Sequence, residues 1–144
     1  MSGEPDSIQV DEFLPHPPAK VWRALTEPEL LARWLMPNDF EPVVGHRFSF
    51  AAEPIPSVGF DGAIACRVLD IEEHRLLRIS WRGGGLDTTV TWRLVPEGRG
   101  TRIFIEHAGF DLDDPVNAHA FRGMGSGWRS TVIRSLRDVL ATTT

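Results

Sequence analysis

Read from the amino terminus, the apolar positions first form a short mixed pattern, Ile8, Val10 and Phe13, that stops at Pro15, Pro17 and Pro18. This predicts a strand closed by proline. A helix follows with Pro18 at its start, where a missing N–H costs nothing. Val21, Trp22 and Leu25 recur at helical spacing, through Ala24 to about Thr26. Thr26 and Glu29 match a capping box with Pro28 inside the first turn. A second short helix is therefore expected, with Leu30, Leu31, Trp34 and Leu35 on its apolar side and Pro37 at its end.

From Arg47 the period changes to two. Phe48 and Phe50 share one face of Arg47–Ala51, and Pro54, Pro56, Ser57 and Gly59 break the run. Ala63–Ile71 is apolar on both faces, which leaves its inward side open and suits a bulge that switches it midway. Leu77, Ile79 and Trp81 alternate cleanly in Arg75–Arg82, and Val90, Trp92 and Leu94 do so after the Gly83-Gly84-Gly85 turn. Thr101–Ala108 places Ile103, Ile105 and His107 together. Strands this close in sequence pair as antiparallel hairpins, because parallel crossovers need about a dozen residues or more.

The last third returns to helical period. Asp114 and Pro115 predict its start, and Trp128, Val132, Leu136, Val139 and Leu140 form its stripe, with Met124 one turn earlier. Gly123, Gly125 and Gly127 weaken the middle and predict a break or kink. No repeat or linker divides the pattern. One domain is expected over 8–141, with a flexible tail at 1–7 and a second at 142–144.

Composition narrows the function. At 144 residues and a formal charge of −5, with arginines scattered among elements, the chain lacks the basic stripe of a nucleic-acid binder. Its one cysteine, Cys66, cannot form an internal disulfide, and no cysteine–histidine cluster has zinc spacing. No targeting segment and no membrane span is read, and a cytoplasmic protein without metal or cofactor is expected.

Several words in this order carry a resemblance. "PPAKVWRALTEPELLARWLMP" (17–37), Gly62 in "GFDG", Trp81 in "RISW", Gly100-Thr101, "EHAGF" (106–110) and Gly127-Trp128 resemble the activator of heat shock protein 90 ATPase homologue-like family. That family belongs to the START-like, helix-grip superfamily, also called SRPBCC. The resemblance implies an α+β fold: a curved antiparallel sheet wrapped around a long C-terminal helix, with two short helices after the first strand. It implies that Gly127 lets the terminal helix approach the strands and that Trp128 fills the space between them. It also implies a helix–sheet cavity for apolar ligands, no shared reaction, and through the family's name a link to the stress response. Fold alone does not define function.

Trp34, Met36, Phe50, Trp81, His107, Met124 and Trp128 are the expected pocket residues, and the same aromatics would serve equally as filled core. His107, on an inward face, is the sharpest polar candidate, either bonding a ligand oxygen or ordering a strand end. Arg67 and Asp61 are weaker ones. Gly123–Gly127 lacks the preceding strand and the lysine of a phosphate loop. Asp111, Asp113 and Asp114 read as a solvated helix entrance. No G-x-S-x-G elbow occurs, and the absence of tyrosine weighs against polyketide cyclisation.

Three functions remain in view. The first is a carrier or sensor of a small hydrophobic ligand, lipid-like or aromatic. The second is a co-chaperone, although the additional N-terminal domain of the eukaryotic co-chaperones is not seen here. The third is a cyclase or hydrolase using His107. The chain is expected as a monomer or as a weak homodimer built through exposed strand edges.

Overall fold

The alternation that begins at Arg47 becomes five consecutive strands of one antiparallel sheet. The structure, a computed structural model, describes residues 7–143. Strand β1 (Ser7–Leu14) leads into helices α1 (Pro18–Thr26) and α2 (Pro28–Trp34). The strands β2 (Arg47–Ala51), β3 (Ala63–Glu72), β4 (Leu76–Gly83), β5 (Leu86–Glu97) and β6 (Gly100–Ala108) follow. Their spatial order is β1-β6-β5-β4-β3-β2, with every neighbouring pair antiparallel. Helix α3 (Pro115–Gly127), a π-helical turn (Trp128–Val132) and helix α4 (Ile133–Thr142) run on as one right-handed helix across the sheet. This is the expected helix-grip α+β fold. Of the expected tails, residues 1–6 and 144 lie outside the described residues, while Ser7 already pairs with Ala108.

Local chemistry explains most of these boundaries. Asp114 caps α3 by accepting from the Asn117 backbone N–H at 3.1 Å, with Pro115 in the first turn. The capping box at Thr26 does not form. The Thr26 hydroxyl instead donates back to Trp22 O at 2.8 Å and closes α1, while Glu27 precedes α2 without a side-chain cap. The two-faced β3 does contain a register shift, between Val68 and Asp70. The mixed pattern of β1 has an electrostatic origin: Glu12 occupies an inward position and receives Arg137 Nη2 at 2.6 Å, while Arg137 Nη1 donates to Phe13 O at 3.0 Å.

Those contacts cover part of one sheet edge. At the other edge Asp39 Oδ1 accepts from Ser49 N at 2.8 Å, and Pro37 O accepts from Ala51 N at 3.1 Å. Strand addition at these points is thereby blocked, so the edge argument for a homodimer loses its basis there.

The terminal helix departs from expectation at its glycines. The π turn inserts an extra residue between Trp128 and Ile133, and both are buried. Ile133 therefore takes the core position expected of Val132, and Val132 swings to a half-buried flank. Gly125, not Gly127, makes the close approach: a Cβ there would lie 3.7 Å from Ile8 and 3.2 Å from Arg129, whereas at Gly127 it would meet nothing within 4 Å. Gly100 is tighter still, since a Cβ would come within 2.5 Å of both Leu14 O and Phe13. Gly100→Ala is expected to destabilise the protein by about 2–3 kcal/mol through this overpacking. Gly127→Ala should be neutral or stabilising by up to about 1 kcal/mol. Chemical denaturation checks both, and a large loss at position 127 would contradict this packing.

Candidate functional site

The helix is tied to the sheet by one chain of hydrogen bonds. Trp128 Nε1 donates to His107 Nδ1 at 3.1 Å. An indole nitrogen only donates, so Nδ1 accepts and the imidazole proton sits on Nε2. Nε2 then donates to Thr88 Oγ1 at 2.7 Å, which frees the hydroxyl proton for Trp81 O at 3.2 Å. Thr88 and His107 are both buried. Burial pushes the imidazole down to about 3. A second ring proton would also face the Trp128 N–H, donor against donor. The ring is a neutral, fully bonded linker, and in this state neither nitrogen is available to a substrate.

Around this linker the interior is filled. Ring centroids of Trp81 and His107 lie 5.1 Å apart, those of His107 and Phe110 4.7 Å, and those of Phe50 and Trp81 5.5 Å. Deeper in, the space among Leu25, Leu31, Phe50, Ile79 and Trp92 closes to a void too small for water. Trp92 Nε1, buried there, finds no acceptor among the described residues. Cys66 is likewise packed away, and burial pushes its thiol up to about 12, far from a reactive thiolate.

Open space lies to the side of α3. One lobe, of about 530 Å3, is bounded by the 55–60 loop, the β4–β5 turn and the first half of α3, with Ile55, Phe60, Ile64, Leu86, Val116 and Met124 among its walls. A second, of about 290 Å3, is lined by Leu35, Met36, Gly127, Trp128 and Val132. Both share Trp81, Gly123 and Met124. A Cβ at Gly123 would meet nothing within 4 Å, so the glycine leaves the groove wide at its neck. Asn117 anchors the first lobe by donating from Nδ2 to Gly85 O at 3.2 Å and to Asp114 Oδ2 at 2.7 Å. The polar groups on its walls are few, with Ser57 and His119 the side chains that carry them.

Of the expected pocket residues, Met36, Trp81, Met124 and Trp128 line this groove. Trp34, Phe50 and His107 do not line it. Trp34 is buried and donates to Ala24 O at 2.8 Å, which ties α2 to α1. Phe50 faces the filled interior. Arg67 is exposed, and Asp61 is exposed and accepts from Ala63 N at 3.0 Å. The loop residues Ile55 and Phe60 and the α3 residues Val116 and His119 escaped the sequence reading. The loop carries no period, and the outward stripe of α3 gives no signal until its neighbour is known. Among the described residues no three His, Cys, Asp or Glu side chains converge as a metal site.

A family model described as activator of Hsp90 ATPase homolog 1-like protein matches residues 15–141. The chain belongs to this family. It is similar to protein MLL2253 from Mesorhizobium loti, with 35% identity over 96% of this chain and 98% of that one, and a TM-score of 0.83. Protein BH1534 from Bacillus halodurans is 28% identical over 93% and 96% of the two chains, with a TM-score of 0.76. The Aha1 dimer from Colwellia psychrerythraea shares the fold at 18% identity over 94% and 96%, with a TM-score of 0.75. No curated protein matches. Among the described residues, no helix of this family member is long and apolar enough to cross a membrane.

The linker makes a pH prediction. The unfolded histidine takes up its proton near 6.5 and the folded one only near 3, so below 6.5 the unfolded state holds more protons. The stability contributed by this group is complete above that value. It is lost progressively as pH falls, with a slope approaching about 1.4 kcal/mol per pH unit. NMR of the ring should show no titration of His107 between about pH 5 and 8, and a midpoint near the ordinary value would contradict the linker. His107→Ala should cost about 2–4 kcal/mol in denaturation, from orphaned partners and a new cavity.

Proposed function

We propose that this chain binds a small hydrophobic molecule, lipid-like or aromatic, in the groove beside Met124, as a carrier or sensor. The observation that carries the reading is the contrast between a filled interior and an open apolar groove of about 530 Å3. That volume falls in the usual ligand range of ~300–1,000 Å3. The apolar walls offer burial worth roughly 25 cal/mol per Å2 of ligand surface. With His107 committed to Trp128 and Thr88, a cyclase or hydrolase reading lacks its acid–base group. The single free thiol fits a cytoplasmic setting.

Two further proposals rest on likeness alone. Action on an Hsp90 ATPase is supported by the family's description, and a weak homodimer by the dimer of the Colwellia psychrerythraea relative. An ATPase assay with the cognate chaperone and sedimentation at rising concentration check them.

A fluorescent apolar probe titrated into the protein tests the groove. Gly123→Leu places its side chain in open space at the neck, so it should weaken binding by at least about tenfold while the melting temperature holds or rises. An unchanged probe affinity in this variant would place binding elsewhere. Failure of the wild type to respond to any apolar compound would remove the reading.

A further inference from the structure

The two lobes of the groove differ in chemistry along the terminal helix. The larger lobe is bordered by Val116, His119 and Ala120 of α3 and by Ser57 of the facing loop. Ser57 and His119 are exposed, and neither side chain makes a hydrogen bond or ion pair among the described residues. The smaller lobe has a different lining. Leu35, Met36, Met124, Gly127 and Val132 bring no side-chain N–H or O–H to it, and the Trp128 N–H beside them is committed to His107. A polar group placed among them would lose its water without a replacement partner. The lobes share Trp81, Gly123 and Met124. From Val116 in the first lobe to Val132 in the second the helix advances roughly 24 Å. A molecule that meets both lobes is therefore long, polar at one end and apolar at the other.

We infer, resting on the reading that this groove binds an apolar molecule, that its ligand is a single-chain amphiphile. A polar head that accepts hydrogen bonds sits at Ser57 and His119, and an unbranched hydrocarbon tail passes Gly123 into the lobe beside Gly127. Met36 and Met124 border the tail's path, and their flexible, unbranched side chains adapt to a chain in many conformations. Gly127 sets how far the tail can run. It lines the second lobe, and a Cβ there would meet nothing within 4 Å, so a larger side chain at this position fills the tail's space without disturbing the core.

Calorimetric titration of the full chain with octanoic and hexadecanoic acids, each below the concentration at which it aggregates, tests the inference. Every methylene buried adds up to about fourfold in affinity, so the wild type should prefer the longer acid by at least about a hundredfold. Gly127→Leu should bind octanoic acid as the wild type does and reduce that preference to below about tenfold. Its ligand-free melting temperature should hold or rise, because leucine is the better helix former. Ser57→Ala combined with His119→Ala should weaken both acids on the order of tenfold and keep their ratio. The inference is overturned if the wild type binds the two acids equally, or if Gly127→Leu keeps the full preference or weakens both acids alike. Unchanged binding of the acids by the double variant overturns the placement of the head. A protein that binds the fluorescent apolar probe but neither acid refutes the amphiphile and leaves the groove reading intact, whereas no response to any apolar compound removes both.

Discussion

Trp128 reaches across from the terminal helix to His107 on β6, and from there hydrogen bonds pass to Thr88 on β5 and to the backbone of Trp81 on β4. Helix position, strand register and aromatic packing meet in this one relay. Each net hydrogen bond contributes only about 1 kcal/mol, but breaking one would strand a buried polar group at roughly 1–3 kcal/mol. The asymmetry makes the arrangement close to all-or-none. It holds the indole of Trp128 against Trp81 and Trp92, with ring centroids 6.3 and 6.1 Å away.

The filled interior follows from that placement. With three tryptophans, His107, Phe50 and Phe110 in contact, little room is left between helix and concave sheet. Open volume is displaced to the flank of α3, where the 55–60 loop and Gly123 leave the wall incomplete. The π turn contributes in two ways. It brings Trp128 and Ile133 both onto the sheet, five residues apart, and it turns Val132 into the second lobe. One local irregularity thus serves both core and groove.

Some charges on the sheet are matched across strands, Arg78 with Asp70 and Arg102 with Asp11, and Glu12 on β1 is matched to Arg137 of the helix. Such exposed pairs contribute little stability, about 0–1 kcal/mol each. Arg122, Arg129 and Arg134 on the helix, like Arg47, Arg67 and Arg93 on the sheet, are exposed and make no ion pair among the described residues.

Much of the fold was legible in the sequence, because strand and helix periods are local properties. The alternation of β4 and β5, the bulge expected in β3, the Asp114 cap and the inward face of His107 all follow from spacing and side-chain chemistry. The family words between Pro17 and Trp128 agreed with them. What spacing does not contain is the partner each inward side chain meets. Phe50, His107 and Trp81 have the same inward signature, yet Phe50 and His107 face packed interior while Trp81 also borders the groove. Gly125 and Gly127 likewise look alike in sequence, and only the crossing of the helix over Ile8 sets one of them in contact with the sheet and leaves the other in open space. Local pattern determined the elements and their faces; tertiary packing alone decided which faces close on one another, because that depends on contacts between residues far apart in the chain.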